Sequence, residues 1–503
     1  MWFKFCCPSR LAGIGHLSDP RTFPLNDAPS LLVSPRAALA AISQVGDLSM
    51  GQPLGHSMRV ARLARQLAEA GTGQGGHLAV AEHVALLRWS GCTANAEGFT
   101  HLLGNDVDGR RAMLDQTLGL DAMQAVHKAS SLAVVHCEVS EQVASTLGLG
   151  ADVEAALYRV FETYDGSGRP AGLPHGQIPE VVYQVVLAGD LEILSRTHGL
   201  DSALDWINAQ CNRRYPAALA ELLMRNAADW LAQLESTVQP ATAESVEASV
   251  PLSLVGDVID LKLPWLAGHS RQVAHIAIEA ARLWGMNEAK LTEIGKAALV
   301  HGLGRAAVSN HIWNSPGPLP YGAAERLHLV PYWTQKACKP IAELAGCGEI
   351  AAHAYERLDG SGYYRGLSGD ALSAEHRLLA TANAWIALQN DRPWRPAHSR
   401  DDAQKILRQE ASRGAFDNQV CETVIAAANG QQRVAQPRSS LLTTRECDVL
   451  SEISRGASNK EVARTLSISP STVRTHMESI FRKLECSTRA AATLKGLTLG
   501  LIV

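Results

Sequence analysis

The sequence lacks three features that would assign it to particular protein classes. It has no run of about eighteen apolar residues, which a membrane-spanning helix would need, and its first residues lack the apolar stretch of a signal peptide. Its ten cysteines are scattered, without a C-x-x-C pair or another spacing typical of metal sites. No segment sustains the apolar–polar alternation of a β-strand. We therefore expect a helical protein that is not attached to a membrane and lies in the reducing cytoplasm.

The chain also lacks a strong net charge. Its 46 Lys and Arg residues against 50 Asp and Glu residues give a net charge of −4, so no overall positive field draws the protein to nucleic acid. Residues 441–503 are the exception, because nine basic residues there face six acidic ones. A local basic excess on an acidic chain is typical of a protein with one DNA-binding module.

Helical periodicity is what the sequence does contain, and it predicts an all-α fold. Apolar residues recur at helical spacing in both large segments; examples are Val60, Leu63, Leu67, Val273, Ile276 and Leu283. The length allows about three domains, and two polar stretches with prolines are typical of linkers. The predicted organisation is an N-terminal tail at 1–30, a first helical domain at 31–235, a linker at 236–252, a second helical domain at 253–430, a linker at 431–440 and a C-terminal domain at 441–503.

The C-terminal segment predicts four short helices with marked ends. Thr443–Glu446 and Ser458–Glu461 have the capping-box spacing, and Ser469 is followed by a proline that suits the first turn of a helix. The third helix then has an apolar stripe, formed by Val473, Met477, Ile480, Phe481 and Leu484. Its opposite face is polar and is formed by Ser471, Thr472, Arg474, Thr475, Glu478 and Arg482. Such a face fits the major groove of DNA.

This segment resembles the LuxR-type helix-turn-helix family over nearly its whole length. The matching positions are Leu442, Thr443, Arg445, Glu446, Val449, Leu450, Gly456, Ser458–Glu461, Ser469, Thr472, Val473, His476, Lys483, Leu484 and Ser487–Arg489. The resemblance implies a four-helix domain that binds double-stranded DNA, with a recognition helix starting at Pro470. It also implies a homodimer formed through the last helix, at 488–497. The DNA-contacting residues that it implies are Lys460, Ser471, Thr472, Arg474, Thr475, Arg482 and Lys483.

The two large segments repeat each other, which indicates a tandem duplication. A Gly-His-Ser motif occurs in both, and an Asp-Gly-Ser-Gly motif follows in both. The corresponding residues are His56 and His269, Arg88 and His301, Trp89 and Gly302, Asp165 and Asp359, and Asp190 and Asn383. We expect the Asp-Gly-Ser-Gly motifs to form turns in which glycine takes a positive φ and the aspartate caps the backbone.

The repeat resembles the HD-GYP family, and the second copy does so more closely. There ALVHGLGR is similar to the family's A-L-L-H-D-I-G-K, and YERLDGSGYYRGL is similar to H-H-E-x-x-D-G-x-G-Y-P-x-G-L. The resemblance implies two tandem HD-domain-like helical domains. In the family, this fold cleaves cyclic di-GMP at a site with several metals, which clamp the phosphate and lower the pKa of bound water.

Most of the metal ligands that the resemblance implies are replaced. The residual candidates are His269, His301, His56, His136 and Asp190. Gly302 and Asn383 stand where the family has aspartates, and Arg88-Trp89 and Val160-Phe161 stand where it has His-Asp and His-His. Histidines without a bridging carboxylate hold hard metals poorly, and an arginine repels them. We expect no catalytic residue, no metal and no other cofactor, and we expect the lone histidines to be hydrogen-bonded core residues or, as the alternative, a site for a single metal.

Together the patterns favour a bacterial transcriptional regulator. Its tandem HD-GYP-like module, a pseudoenzyme, would sense a small-molecule or nucleotide ligand or a partner. The alternative is a metal-dependent phosphohydrolase, similar to a cyclic di-GMP phosphodiesterase, with an attached DNA-binding domain. Only that alternative requires iron or manganese.

Overall fold

The computed structural model describes residues 31–72, 75–236, 249–430 and 441–502. The predicted tail at 1–30, residues 237–248 of the first linker and the second linker at 431–440 lie outside these described residues. The described chain is mostly helical and contains almost no strand, which confirms the all-α prediction. Two short strands, β1 (Leu32–Val33) and β2 (Val250–Pro251), pair as a two-stranded sheet. None of the described helices combines the length and the apolar composition that crossing a bilayer requires.

The described residues form two compact units. One contains the residues between 32 and 250 together with Cys486–Leu494, and the other contains residue 31, those between 251 and 485, and 495–502. The first repeat therefore lies in one unit, and the second repeat in the other.

The first repeat packs around the helix that begins at His56. Its helices are α1 (Pro35–Ser49), α2 (His56–Thr72), α3 (Gly75–Leu87), α4 (Ala96–Leu103), α5 (Asp106–Leu114), α6 (Leu120–Lys128), α7 (Ser130–Thr146), α8 (Ala151–Tyr158), α9 (Glu180–His198), α10 (Leu200–Ala209) and α11 (Ala217–Ser236). Helix α2 contacts α3, α9 and α11. Val60, Leu63 and Leu67 are fully buried, as their helical spacing predicts.

The second repeat has the same arrangement around the helix that begins at His269. Its helices are α12 (Ser253–Asp260), α13 (His269–Leu283), α14 (Glu288–Val300), α15 (Asn310–Trp313), α16 (Tyr321–His328), α17 (Val330–Cys338), α18 (Ala345–Ala351), α19 (Ala374–Gln389), α20 (Arg400–Ser412) and α21 (Asn418–Asn429). Helix α13 contacts α14 and α19, just as α2 contacts α3 and α9. Val273 and Ile276 are buried, but Leu283 is 60% exposed because it is the last residue of its helix.

The C-terminal segment forms the four expected helices. They are α22 (Thr444–Ser454), α23 (Asn459–Thr465), α24 (Pro470–Lys483) and α25 (Arg489–Thr498). Both predicted capping boxes form, at Thr443 with Glu446 and at Ser458 with Glu461. Ser469 caps α24 by accepting the backbone N–H of Thr472. The last helix begins and ends one residue later than the sequence pattern indicated.

Candidate nucleic-acid interface and the centres of the repeats

Helix α24 has one buried and one exposed face, and α22 and α23 pack against it. Val473, Met477 and Ile480 are buried, whereas Phe481 is only half-buried. The exposed face contains all the polar residues that the sequence placed there, namely Ser471, Thr472, Arg474, Thr475, Glu478 and Arg482. A helix with such a face can enter a major groove without giving up its own packing.

The basic side chains near this face differ in what they already bind. Arg474 donates from Nε to Glu478 at 2.9 Å, and both side chains are more than half exposed, so the pair is weak and open to exchange. Lys460 is exposed on α23, and no acidic side chain of the described residues pairs with it. Lys460 and Arg474 are therefore accessible to an anionic partner.

Lys483 differs from these two residues because its ammonium group binds Glu446 at 2.7 Å. The Glu446 carboxylate also accepts the backbone N–H of Thr443 and the hydroxyl of Ser479. Burial alone would raise the pKa of Glu446, but the hydrogen bonds, led by that from Lys483, lower its pKa to about 2. Glu446 therefore joins the start of α22 to the end of α24. Sequence reasoning identified Glu446 only as a cap and assigned Lys483 only to the DNA backbone.

The centre of the first repeat is a chain of three polar groups. Arg88, just after α3, donates from Nη2 to Nε2 of His56 at 2.7 Å. The Nδ1–H of His56 donates to the carboxylate of Glu192 on α9. Burial lowers the pKa of His56 to about 4, so the imidazole is neutral, with its Nε2 lone pair directed at the arginine. No motif or spacing in the sequence pointed to Glu192.

The other two ligand candidates of the first repeat bind elsewhere. Asp190 forms an ion pair with Arg214 at 2.8 Å. The ring of His136 packs against that of Phe161, with 4.7 Å between the ring centroids, and burial lowers the pKa of His136 to about 3. Asp190 and His136 are therefore packed as core side chains, and they are not directed at a common point where a metal could bind.

The centre of the second repeat has a similar arrangement. Nε2 of His301 accepts Nη2–H of Arg305 at 2.8 Å, while its Nδ1–H donates to the carbonyl of Ala298 at 2.6 Å. Nε2 of His269 donates to Oδ1 of Asn383 at 3.0 Å. The Asn383 amide is oriented by its other bond, from Nδ2 to the carbonyl of Ala354. The two imidazole rings are neighbours, with centroids 5.6 Å apart, and burial lowers the pKa of both.

Arg305 is a site residue that the sequence analysis did not single out. Its guanidinium is buried, donates to the hydroxyl of Tyr355 and lies 3.3 Å from the carboxylate of Asp260. Asp260 also accepts the backbone N–H and the hydroxyl of Ser270, beside His269. One sequence feature could have identified Arg305: it lies four residues after His301, at the position where the family motif has a lysine.

The two Asp-Gly-Ser-Gly motifs form turns, as expected. Gly166 and Gly360 have φ of 76° and 80°. Oδ1 of Asp165 accepts the backbone N–H of Ser167, and Asp359 accepts that of Ser361 in the same way. The motifs therefore have a structural role that needs no metal.

The residues present do not fit the metal cluster that the HD-GYP resemblance implies. The Nε2 lone pairs of His56 and His301 accept hydrogen bonds from guanidinium groups, and Nε2 of His269 carries the proton that it donates to Asn383. In the part of the chain that the structure describes, no three His, Cys, Asp or Glu side chains converge as a metal site. A divalent cation needs several free lone pairs and negative charge directed at one point, whereas here guanidinium groups occupy Nε2 of His56 and of His301, and Nδ1 of His269 offers a single lone pair without a partner among the described residues.

Comparison with known families agrees with both resemblances. Residues 253–420 match the family described as HD domain, and residues 440–495 match the family described as bacterial regulatory proteins, luxR family. A nitrate/nitrite response regulator, NarP of Escherichia coli, is 49% identical over 55 residues, which are 11% of this chain and 26% of that protein.

The proteins that are similar to the helical repeats of this chain include a phosphodiesterase. The 3′3′-cGAMP-specific phosphodiesterase 3 of Vibrio cholerae is 27% identical over 295 residues, 56% of this chain and 64% of that protein. This chain thus spans less than two thirds of the length of the phosphodiesterase and of NarP. The crystal structure of a cyclic GMP-AMP-specific phosphodiesterase of V. cholerae superimposes with a TM-score of 0.56 and 21% identity, covering 80% of this chain and 99% of that one. This likeness establishes the fold of the repeats.

Proposed function

We propose that this chain, which carries an HD domain and a C-terminal luxR-family domain, is a transcriptional regulator that binds double-stranded DNA through α24. The observation that carries the proposal is the division of α24 into a buried apolar face and an exposed polar face. In a four-helix unit of this kind, the exposed face is the one that meets base edges. The luxR-family match over 440–495 supports the same interpretation.

The side chains on and beside α24 have distinct roles in the proposed complex. Ser471, Arg474 and Thr475 read base edges or nearby phosphates, and Thr472 and Arg482 extend that contact along the helix. Lys460 lies where it can bind a phosphate, which adds affinity but no sequence preference. The Lys483 ammonium reaches a phosphate only by exchanging or sharing its bond to Glu446. If the protein acts as a dimer in the cytoplasm, its half-sites lie about one helical turn, ~34 Å, apart.

The two helical repeats act in this proposal as a non-catalytic sensory or interaction module. His56, His269 and His301 are each hydrogen-bonded within the chain, and in this proposal they serve the fold. A small-molecule or nucleotide ligand, or a protein partner, would bind the repeats and change how two DNA-binding units are presented. Ligand binding can shift DNA affinity only if it favours one arrangement of the units over another.

Selection of bound fragments from genomic DNA with the purified full chain tests the DNA-binding role. We expect one sequence motif to be enriched, and we expect a variant with Arg474→Ala and Thr475→Ala to lose that enrichment while keeping its helical content. The absence of any enriched sequence for the wild-type chain at moderate salt would contradict the proposal.

A phosphohydrolase is the second candidate, because the chain is similar to cyclic dinucleotide phosphodiesterases. The donor groups described above argue against it. The direct test incubates the full chain with 3′3′-cGAMP or cyclic di-GMP and with manganese or iron(II). We expect no hydrolysis above that of a His301→Ala variant, and turnover that this substitution abolishes would favour the enzyme.

A further inference from the structure

In each repeat, one buried arginine donates a hydrogen bond to Nε2 of a histidine that stands in a ligand position of the HD-GYP motif. Arg88 donates to Nε2 of His56 in the first repeat, and Arg305 donates to Nε2 of His301 in the second. The two arginines are not equivalent in sequence, since Arg88 corresponds to His301 itself and Arg305 lies four residues after it. The histidines are not equivalent either, since His56 corresponds to His269, so the two repeats pair a buried arginine with different histidines.

A glycine makes room for each guanidinium. A Cβ atom at Gly189 would overlap the guanidinium of Arg88, and a Cβ at Gly302 would lie 2.9 Å from Nη1 of Arg305. Gly302 stands where the family has the aspartate of its His-Asp pair. With glycine at this position, the second repeat has neither that carboxylate nor a Cβ close to the Arg305 guanidinium.

The surroundings of each guanidinium balance its charge. Asp260 lies 3.3 Å from Arg305, and the Tyr355 hydroxyl accepts two of its N–H groups. In the first repeat, burial raises the pKa of Asp190 and raises that of Asp47 to about 7. Near Arg88 the ionised countercharge is therefore Glu192, which shares His56 with it. A buried charge persists in a fold when such partners compensate it. Asp260 in the second repeat and Glu192 in the first are thus carboxylates in contact with the two arginine–histidine pairs.

We propose that each repeat contains a built-in cation, which is the guanidinium of Arg88 at His56 and that of Arg305 at His301. In each repeat the guanidinium takes the place beside the histidine that a metal has in the family. This inference rests on the non-catalytic role proposed above for the repeats and is independent of DNA binding. It assigns a function to two arginines as internal substitutes for the metal. It also makes the folding of both repeats independent of metals and insensitive to chelators.

Two carboxylate-restored variants of the full chain isolate the role of Arg305. The first carries Gly302→Asp and Asn383→Asp and so presents two histidines and two aspartates, with Arg305 kept. The second has the same changes plus Arg305→Met, which removes the charge at similar side-chain length. Each variant and the wild-type chain is incubated with Mn²⁺, freed of unbound metal and analysed for manganese per chain, and circular dichroism checks its helical content.

We expect stoichiometric manganese only in the variant that lacks Arg305, because in the others the guanidinium binds His301 and repels a cation. Equal manganese in the two restored variants, whether both are loaded or both are empty, would overturn the proposal. Stoichiometric manganese in the wild-type chain, lost in His301→Ala, would also overturn it. Hydrolysis and DNA binding are measured on the same samples, so failure of this inference is distinguishable from failure of the proposed function.

Discussion

Nη2 of Arg305 lies 2.8 Å from Nε2 of His301, and a Cβ at residue 302, which is glycine, would lie 2.9 Å from Nη1 of the same guanidinium. Through this contact a histidine in a ligand position of the HD-GYP motif is bound to a guanidinium within the second repeat. The histidine accepts a hydrogen bond from an arginine that cannot be deprotonated in the physiological range. The contact also makes Arg305 a structural residue of the second repeat.

Replacing Arg305 by methionine should therefore destabilise the second repeat. The change leaves Asp260 buried without its ion pair and His301 without its donor, and breaking a buried pair in this way costs about 3 kcal/mol. Urea unfolding followed by tryptophan fluorescence measures the loss. Arg408→Met is the matched control, since Arg408 pairs with Glu422 on the surface and its loss should leave the unfolding midpoint unchanged. Equal effects of the two substitutions would contradict the account.

Gly189→Ala tests the corresponding contact in the first repeat. The added methyl group would overlap the Arg88 guanidinium, so either the arginine or α9 must move, at a cost of about 1–3 kcal/mol. Gly176→Ala is the control in the same repeat, because a Cβ there meets no atom within 4 Å. Differential scanning calorimetry should show a lower unfolding temperature only for Gly189→Ala. If Gly189→Ala left the unfolding temperature unchanged, Arg88 would not lie against α9.

The stability of the DNA-binding unit should depend on pH through Glu446. Its pKa falls from the usual 4.5 to about 2 on folding, so its contribution is fully present above about pH 4.5 and is lost as the pH falls towards 2. The shift corresponds to at most about 3 kcal/mol. Hydrogen exchange of peptides from α22 and α24, corrected for intrinsic rates, should show this loss in the wild-type chain. Glu446→Gln should be less stable at neutral pH and should lack the acid dependence; the same acid dependence in that variant would exclude Glu446 as its source.

Lys460 and Lys483 should behave differently when each is replaced by alanine. Because Lys460 is exposed, its loss should lower the slope of log affinity against log salt by about 0.9 without changing stability. Loss of Lys483 removes the ion pair with Glu446, so it should also speed hydrogen exchange in α22 and α24. DNA titrations at several salt concentrations, together with exchange measurements, separate the two effects. If Lys483→Ala left exchange unchanged, its bond to Glu446 would contribute nothing to stability.

The features that the sequence predicted best are those that depend on neighbouring residues. Thr443 and Glu446 are three residues apart, so the capping box follows from local spacing, and the same holds for the turn at Asp359. The exposed face of α24 also followed from helical periodicity within one element. The HD-domain and LuxR-type resemblances are confirmed by the family matches, whereas the exact domain boundaries and the dimer remain predictions.

The partners of buried polar groups could not be predicted in this way. Glu192 binds His56 across 136 residues, and Glu446 binds Lys483 across 37. Such pairs depend on which helices pack together, and no periodicity encodes that choice. Sequence reasoning recognised that Arg88 would repel a metal, but it did not predict that Arg305 would bind His301. It could not do so because the position of the Arg305 guanidinium depends on Tyr355 and Asp260, which are 50 and 45 residues away in the sequence.

The central claim is that the protein acts on DNA through the exposed face of α24. Its most direct test is the affinity of the full chain for its selected DNA sequence at one fixed salt concentration, for wild type, Arg474→Ala and the control Arg408→Ala. We predict that Arg474→Ala binds about 5- to 150-fold more weakly, the loss of about 1–3 kcal/mol expected for a base-contacting arginine. Arg408→Ala, which removes the same charge from the second repeat, should bind like wild type. An affinity of Arg474→Ala equal to that of wild type would contradict the claim.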